Sequence, residues 1–292
     1  MAPARRVRRG LNDVMRIVAA ITGQDLSRPV VSARAFLTVL ALLFIASASV
    51  TIVWGVSMSA MGEMPMPGGW AMSMSMAWMR MCGQSWAGAA TSFLGMWVAM
   101  MVAMMLPALM PMLWRYRLAI DGTGETRVGW LIALAGLGYF AVWTGFGMAI
   151  FPLGAALAAL EMQQPALARA VPFAVGTVVV LAGVLQFTAW KTHRLACCRG
   201  LPMNGPATPV NAAAAWRQGL RLGLHCSYCC AGPMAILLVM GVMDLATMAA
   251  VTAAITAERL APATLRVARA IGVTAVVVGT LLIARAAGLS AG

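Results

Sequence analysis

Sulfur dominates the chemistry available to this chain. Nine methionines fall between Met58 and Met81, in a Gly/Pro/Ser-rich stretch that closes on Cys82: MSAMGEMPMPGGWAMSMSMAWMRMC. Thioether and thiolate sulfurs are soft donors, which select Cu(I) over hard cations. Met72, Met74 and Met76, at alternate positions, are with Cys82 the expected donors of this stretch. The competing reading is an interfacial apolar segment with methionine as adaptable filler. The residues alone weigh the two equally.

A second group is His225-Cys226-Ser227-Tyr228-Cys229-Cys230. Cys226 and Cys229 have the two-residue spacing of many zinc and redox pairs. On a helix, all three thiols share one face through i+3 and i+4 neighbours. With His225 beside them they form a ligand set for Cu(I), with Zn as the other candidate metal. Cys197 and Cys198 form a third group, after His193. In a reducing cytoplasm such thiols favour metal ligation or transient redox chemistry over structural disulfides.

Softer donors lie inside the apolar runs. Met96, Met100 and Met104 repeat every four residues, with Met101 and Met105 beside them. Further on, Cys230, Met234, Leu237, Gly241, Asp244 and Met248 make one stripe at helical spacing. Asp244 is expected deep within an apolar run, where a carboxylate is costly and therefore a functional candidate. Methionine stripes alone are more often packing. This one gains weight because it begins at thiols and contains an acid. No Ser-His-Asp set, phosphate-cradling glycine loop or carboxylate dyad is visible, and with two histidines hydrolytic catalysis is not expected.

The elements that must position these residues follow from composition. The chain is 62% apolar and only 10% charged, against about 25% charged in soluble domains. Runs of about 20 apolar residues mark membrane-spanning helices. The expectation is an all-α, polytopic transmembrane helical bundle of about six spans, near 35–56, 88–113, 129–155, 170–190, 225–254 and 263–286. Residues 1–34 form a basic cytoplasmic arm, and 35–290 a single transmembrane domain with an outer loop at 57–87. The net charge of +13 is not a nucleic-acid signature. It gathers in the arm, in the Arg115–Arg127 region and in the Lys191–Arg221 region, as the positive-inside rule requires. No nucleic-acid module accompanies it. Six spans place both termini in the cytoplasm, with Glu161 and Glu258 near the outer face. They also strand Arg266 and Arg269 at the outer end of the last helix, against the charge bias. Pro233, just after the thiols, frees a carbonyl that must find a donor within the protein.

The run GMWVAMMVAMMLP at 95–107 and the segment HCSYCCAGPMAILLVMGVMDLATM from His225 resemble the signatures of a bacterial family of uncharacterised integral membrane proteins labelled metal-binding. The Lys191 to Pro202 stretch resembles that family's Lys-x-x-Cys loop, although Cys197 and Cys198 are adjacent here. The likeness covers most of residues 57–260. It implies a helical membrane fold in the bacterial inner membrane. It also implies a pairing of the methionine-rich second span with the thiol cluster. The positions it carries are Met100, Met101, Met104, Met105, Cys226, Cys229, Cys230, Met243 and Asp244.

The expected function is therefore handling of a soft ion, Cu(I) first: binding, transport or delivery through Met and Cys ligands. The expected surroundings are the lipid bilayer, a copper chaperone or copper-protein partner, and further copies of the chain. Two alternatives stay open. One is a membrane thiol–disulfide oxidoreductase using Cys226 and Cys229. The other is a non-catalytic accessory subunit of a membrane complex, given the small residues at Gly136, Gly138, Gly145 and Gly147 that allow close helix contact.

Overall fold

Backbone groups in lipid have no water to bond, so apolar runs of this length satisfy themselves as helices. The computed structural model describes residues 29–59, 64–65, 71–72, 83–120, 125–193, 211–242, 244–261 and 263–288. Its helices are α1 (Pro29–Ser59), α2 (Trp86–Ile120), α3 (Glu125–Gln163), α4 (Pro165–Leu185), α5 (Ala212–Met240), α6 (Leu245–Leu260) and α7 (Thr264–Ala286). Between α1 and α2 lies a short antiparallel ladder, β1 (Met64–Pro65) with β2 (Ala71–Met72). Six of the helices are long and apolar enough to cross a membrane, as in a multi-pass membrane protein; α6 is the exception.

Local chemistry sets the helix ends. Pro165 opens α4, where its missing N–H costs nothing. The Asn211 side chain caps α5 by accepting from the Ala214 N–H at 2.8 Å. Gly241 adopts φ 139°, a conformation that favours glycine, and ends α5. Asp244 then caps α6, accepting from the Ala246 and Thr247 N–H groups.

This turn corrects the expected fifth span. The run 225–254 is not one helix but the end of α5 and most of α6, broken at Gly241–Asp244. The two run antiparallel, since the Lys191 ammonium bonds both the Cys229 carbonyl on α5 and Glu258 near the end of α6. Asp244 is accordingly an exposed cap at the hairpin tip rather than a carboxylate deep in a helix. The proposed stripe holds as far as Cys230, Met234 and Leu237, all buried. It fails at Gly241 and Asp244, where the chain turns.

The hairpin also changes the handling of the ends. α2 and α3 are antiparallel, with Phe93 against Phe151 and Trp97 against Trp143. α3 and α5 are parallel, Ala135 meeting Gly219 and Tyr139 meeting Gly223. α4 and α7 are antiparallel, Gly176 meeting Gly279 and Gly183 meeting Gly272. α1 therefore starts, and α7 ends, at opposite ends of the bundle. Arg266 and Arg269 join Arg115, Arg117, Arg127, Arg217 and Arg221 at a single basic end, and their conflict with the charge bias disappears. Glu258 lies toward that end, where it meets Lys191, rather than at the opposite face with Glu161.

The core centres on α2, which packs against α1, α3 and α6. Trp97, Met100, Met101, Met105 and Leu109 are fully enclosed there. Large apolar side chains instead cover the outside, among them Leu42, Ile45, Ile52 and Val53 along α1. A surface this apolar and this continuous is what a lipid-facing helix presents.

Candidate metal centre

The site begins with close backbone packing. A Cβ on Gly219 would stand 2.1 Å from the Ala135 carbonyl oxygen, and one on Gly223 would stand 2.9 Å from that of Tyr139. Only glycine lets α3 and α5 approach so nearly. The approach delivers Tyr139, whose hydroxyl donates to Cys226 Sγ at 2.8 Å. Cys226 and Cys230 stand one helical turn apart, both 1% exposed, with their sulfurs 3.8 Å from each other. Both are free thiols. A metal–sulfur bond is about 2.3 Å long, so two sulfurs sharing one cation stand at most about 4.6 Å apart. The pair meets that condition as it stands.

Proline places the next group. Pro233 removes the N–H that would have bonded the carbonyl four residues earlier, that of Cys229. Lys191 Nζ bonds that carbonyl at 2.7 Å. The same ammonium pairs with Glu258 Oε2 at 2.8 Å, in a bridge only about 5% exposed on the Lys side. The donor that the freed carbonyl needs is thus the single lysine of the chain, whose 20 other basic residues, out of 21, are arginines. A compact, rotatable ammonium suits this two-acceptor position better than a planar guanidinium.

Arg259, next to Glu258, turns the other way. It lies within interaction range of Cys226, Cys230 and Tyr139, and its Nη1 reaches Met112 Sδ at 3.9 Å. Its Nη2 and the second oxygen of Glu258 are buried and make no hydrogen bond. Glu258 and Arg259, adjacent in sequence, thus serve different parts of one buried centre.

The remaining expected donors divide clearly. Met100, Met101, Met104, Met105 and Met234 are all buried in one apolar cluster with Cys226 and Cys230. α2 and α5 are bridged by α3 and α6, which each pack on both. His225 is half-buried and bonds the Arg221 carbonyl through Nδ1 at 2.8 Å, away from the thiol pair. Cys229 is disulfide-bonded and presents no thiolate in this state. Met74, Met76, Cys82, Cys197, Cys198 and Met243 lie outside the described residues, as does the Met72 side chain. Among the described residues no three His, Cys, Asp or Glu side chains assemble into a metal site. The centre is a two-thiol pair amid thioethers, which suits a soft ion of low coordination number better than tetrahedral zinc.

Residues 94–282 match a family model described as PpoB2: Copper chaperone. The chain belongs to the PpoB2 copper chaperone family. The PpoB2 match runs from the methionine-bearing helix α2 through the thiols to α7, so it includes every residue of the centre just described. It supports an association with copper. No curated protein and no solved structure matches the chain.

Three contributors escaped sequence reasoning in their roles: Tyr139, Lys191 and Arg259. One signal was available. The carbonyl freed by Pro233 required a donor, and a lone lysine preceding the adjacent helix was the natural supply. Tyr139 carried no such signal, because only the depth of the α3–α5 approach brings it to Cys226.

Proposed function

We propose that this chain is a multi-pass protein of the bacterial inner membrane that holds Cu(I) between Cys226 and Cys230 and hands it to a copper-protein partner. The observation that carries this reading is the thiol pair itself: two enclosed free sulfurs 3.8 Å apart, in the interior of an apolar bundle. Packing alone would explain buried methionines, and it would explain one buried cysteine. It gives no reason to surround a thiol pair with a tyrosine donor and a guanidinium that has no carboxylate partner among the described residues.

Sidedness follows from charge. The positive-inside rule puts the basic end of the bundle in the cytoplasm, with the arm at 1–34. The methionine-rich stretch at 57–87 then lies outside, where Met72, Met74, Met76 and Cys82 capture the ion loosely. Met100, Met101, Met104, Met105 and Met234 give it thioether contacts inside the bundle. Thiolates hold a soft cation more firmly than thioethers, so the ion settles at Cys226 and Cys230. Cys226 lies five residues past Arg221, a rise of about 7.5 Å on a helix, so the resting place is close to the cytoplasmic boundary. α6 crosses as a seventh, shorter pass and leaves the end of α7 outside.

Elemental analysis of detergent-purified protein tests this. Wild type should carry copper, and a Cys226→Ser/Cys230→Ser double variant should lose it while keeping its helical circular dichroism. Copper-free wild type, or equal copper in both, overturns the proposal.

One observation favours a second reading. Cys229 is disulfide-bonded while two free thiols stand beside it on the same helix. That arrangement permits thiol–disulfide exchange. Cys226 faces Cys230, however, not its expected redox partner Cys229. A mixed disulfide with another protein, trapped in cells by a Cys230→Ala variant, would establish the redox reading instead.

A further inference from the structure

The two thiols bind one cation only after both lose their protons. Two negative charges then lie in the interior of the bundle, and what compensates them decides which cation fits. The described charged groups of this centre are Lys191, Glu258 and Arg259. Lys191 and Glu258 are bonded to each other at 2.8 Å and cancel. Arg259 interacts with Cys226, Tyr139 and Cys230, none of which is a carboxylate, and its enclosed Nη2 has no hydrogen-bond partner. Among the described residues no carboxylate therefore answers the Arg259 charge, which faces the thiols instead.

Resting on the copper reading, we propose that Arg259 makes the Cys226–Cys230 pair selective for a monovalent cation over a divalent one. With two thiolates and Arg259 the centre carries one net negative charge. A monovalent cation brings it to zero. A divalent cation leaves one positive charge uncompensated in a low-dielectric interior, which is strongly unfavourable. Zinc would face this penalty and would also want two more ligands, which the described residues do not supply. The selectivity lies in a residue that need not touch the metal. It is a matter of charge count around the ligands, whereas softness of the sulfurs would by itself accept zinc as well.

The charge is held by structure. Arg259 sits at the end of α6, placed by the hairpin turn at Gly241 and by the Lys191–Glu258 bridge one residue before it. Met112 on α2 accepts its Nη1 at 3.9 Å. Replacing the guanidinium by a neutral side chain leaves two thiolates with no net compensation, a charge that a divalent cation cancels. Removing Arg259 should thus do more than weaken the site. It should reverse its preference.

The test is a competition on the full-length protein in detergent. Wild type, Arg259→Gln, Arg259→Met and Arg259→Lys are reduced and offered equal Cu(I) and Zn(II) without oxygen. Bound metals are then measured per folded monomer. Arg259→Met supplies the same loss of charge with an apolar side chain beside Met112, should Arg259→Gln not fold. The expected result is a fall of about tenfold or more in the Cu:Zn ratio for the neutral variants, as loss of a buried compensating charge implies. Zinc should be gained as copper is lost, and Arg259→Lys should restore the wild-type ratio. Neutral variants that keep the wild-type ratio overturn the inference and leave the copper reading intact. A loss that Arg259→Lys does not rescue assigns the effect to guanidinium shape and overturns the charge argument. Wild type that binds neither metal overturns the copper reading and the inference together.

Discussion

Two glycine seams hold this bundle, and they serve different ends. In the α4–α7 seam, Gly176 faces Gly279 and Gly183 faces Gly272, seven residues apart on each helix, with Ile283, Val276 and Val180 filling the sides and the buried Gln186 against Gly272. In the α3–α5 seam, Gly138, Gly219 and Gly223 press just as closely, but just past Gly223 the seam leads to Tyr139 and Cys226. The same device therefore builds a dry scaffold on one side of the molecule and sets the reach of a hydrogen bond to a thiol on the other. Close approach is a general property of small residues in helices. What it accomplishes depends on the next side chain along.

The sharpest test of this contrast is a valine in each seam. Gly219→Val puts a Cβ 2.1 Å from a backbone oxygen that cannot yield. It should cost upward of about 3 kcal/mol and abolish copper retention in whatever protein still folds. Gly279→Val meets a Val180 side-chain carbon at 2.7 Å and the Gly176 oxygen at 2.8 Å. It should cost about 1–3 kcal/mol yet leave copper per folded monomer unchanged. Thermal melts and metal content of the two variants check this; equal copper loss in both would erase the distinction between the seams. A smaller effect sharpens it. Tyr139→Phe removes one buried hydrogen bond, worth about 1 kcal/mol, and should speed copper loss to a chelator several-fold. Wild-type release from that variant would show that the α3–α5 approach does not serve the thiol.

The smallest effect lies outside both seams. Asp244→Ala removes the α6 cap and should cost about 1 kcal/mol at neutral pH. Burial works against ionisation of Asp244, but the Thr247 hydroxyl and the Thr247 and Ala246 N–H groups outweigh it and hold the carboxyl below its ordinary range. A carboxyl with a depressed folded value stabilises above its unfolded value, about 3.9, and that stability drains away as pH falls through the folded value. The melting difference between wild type and Asp244→Ala should therefore be full at pH 7 and shrink below roughly pH 4.

Much of the fold was legible because hydropathy and helix length are coupled in lipid: five of the expected spans each fall on one helix, with ends that differ by up to about eight residues. The expected fifth span merged α5 with α6 because both are apolar and Gly241 alone marks the break. A single glycine inside an apolar run reads equally well as packing or as a turn. Arg266 and Arg269 carried the warning, since six passes left them on the wrong face. At the candidate site, the thiols and the burial of the α2 methionines were foreseeable from residue type and spacing. The pairing of Lys191 with Glu258 was not, because it joins the chain across 67 residues and no local pattern encodes it. Asp244 was misread for the same reason in reverse: an acid within an apolar stretch looks costly until the chain is seen to turn there.

The shortness of α6 has a consequence for how the protein is made. Sixteen residues rise about 24 Å, less than the roughly 30 Å hydrocarbon thickness, and the segment carries Glu258 and Arg259. It is accordingly not among the helices long and apolar enough to cross a membrane by themselves. Its partition becomes favourable once Lys191 and the face of α5 are already in place to receive it. On the seven-pass reading proposed above, the first five helices would form a vestibule that α6 enters late, drawn in by charge neutralisation rather than by greasiness, with α7 closing behind.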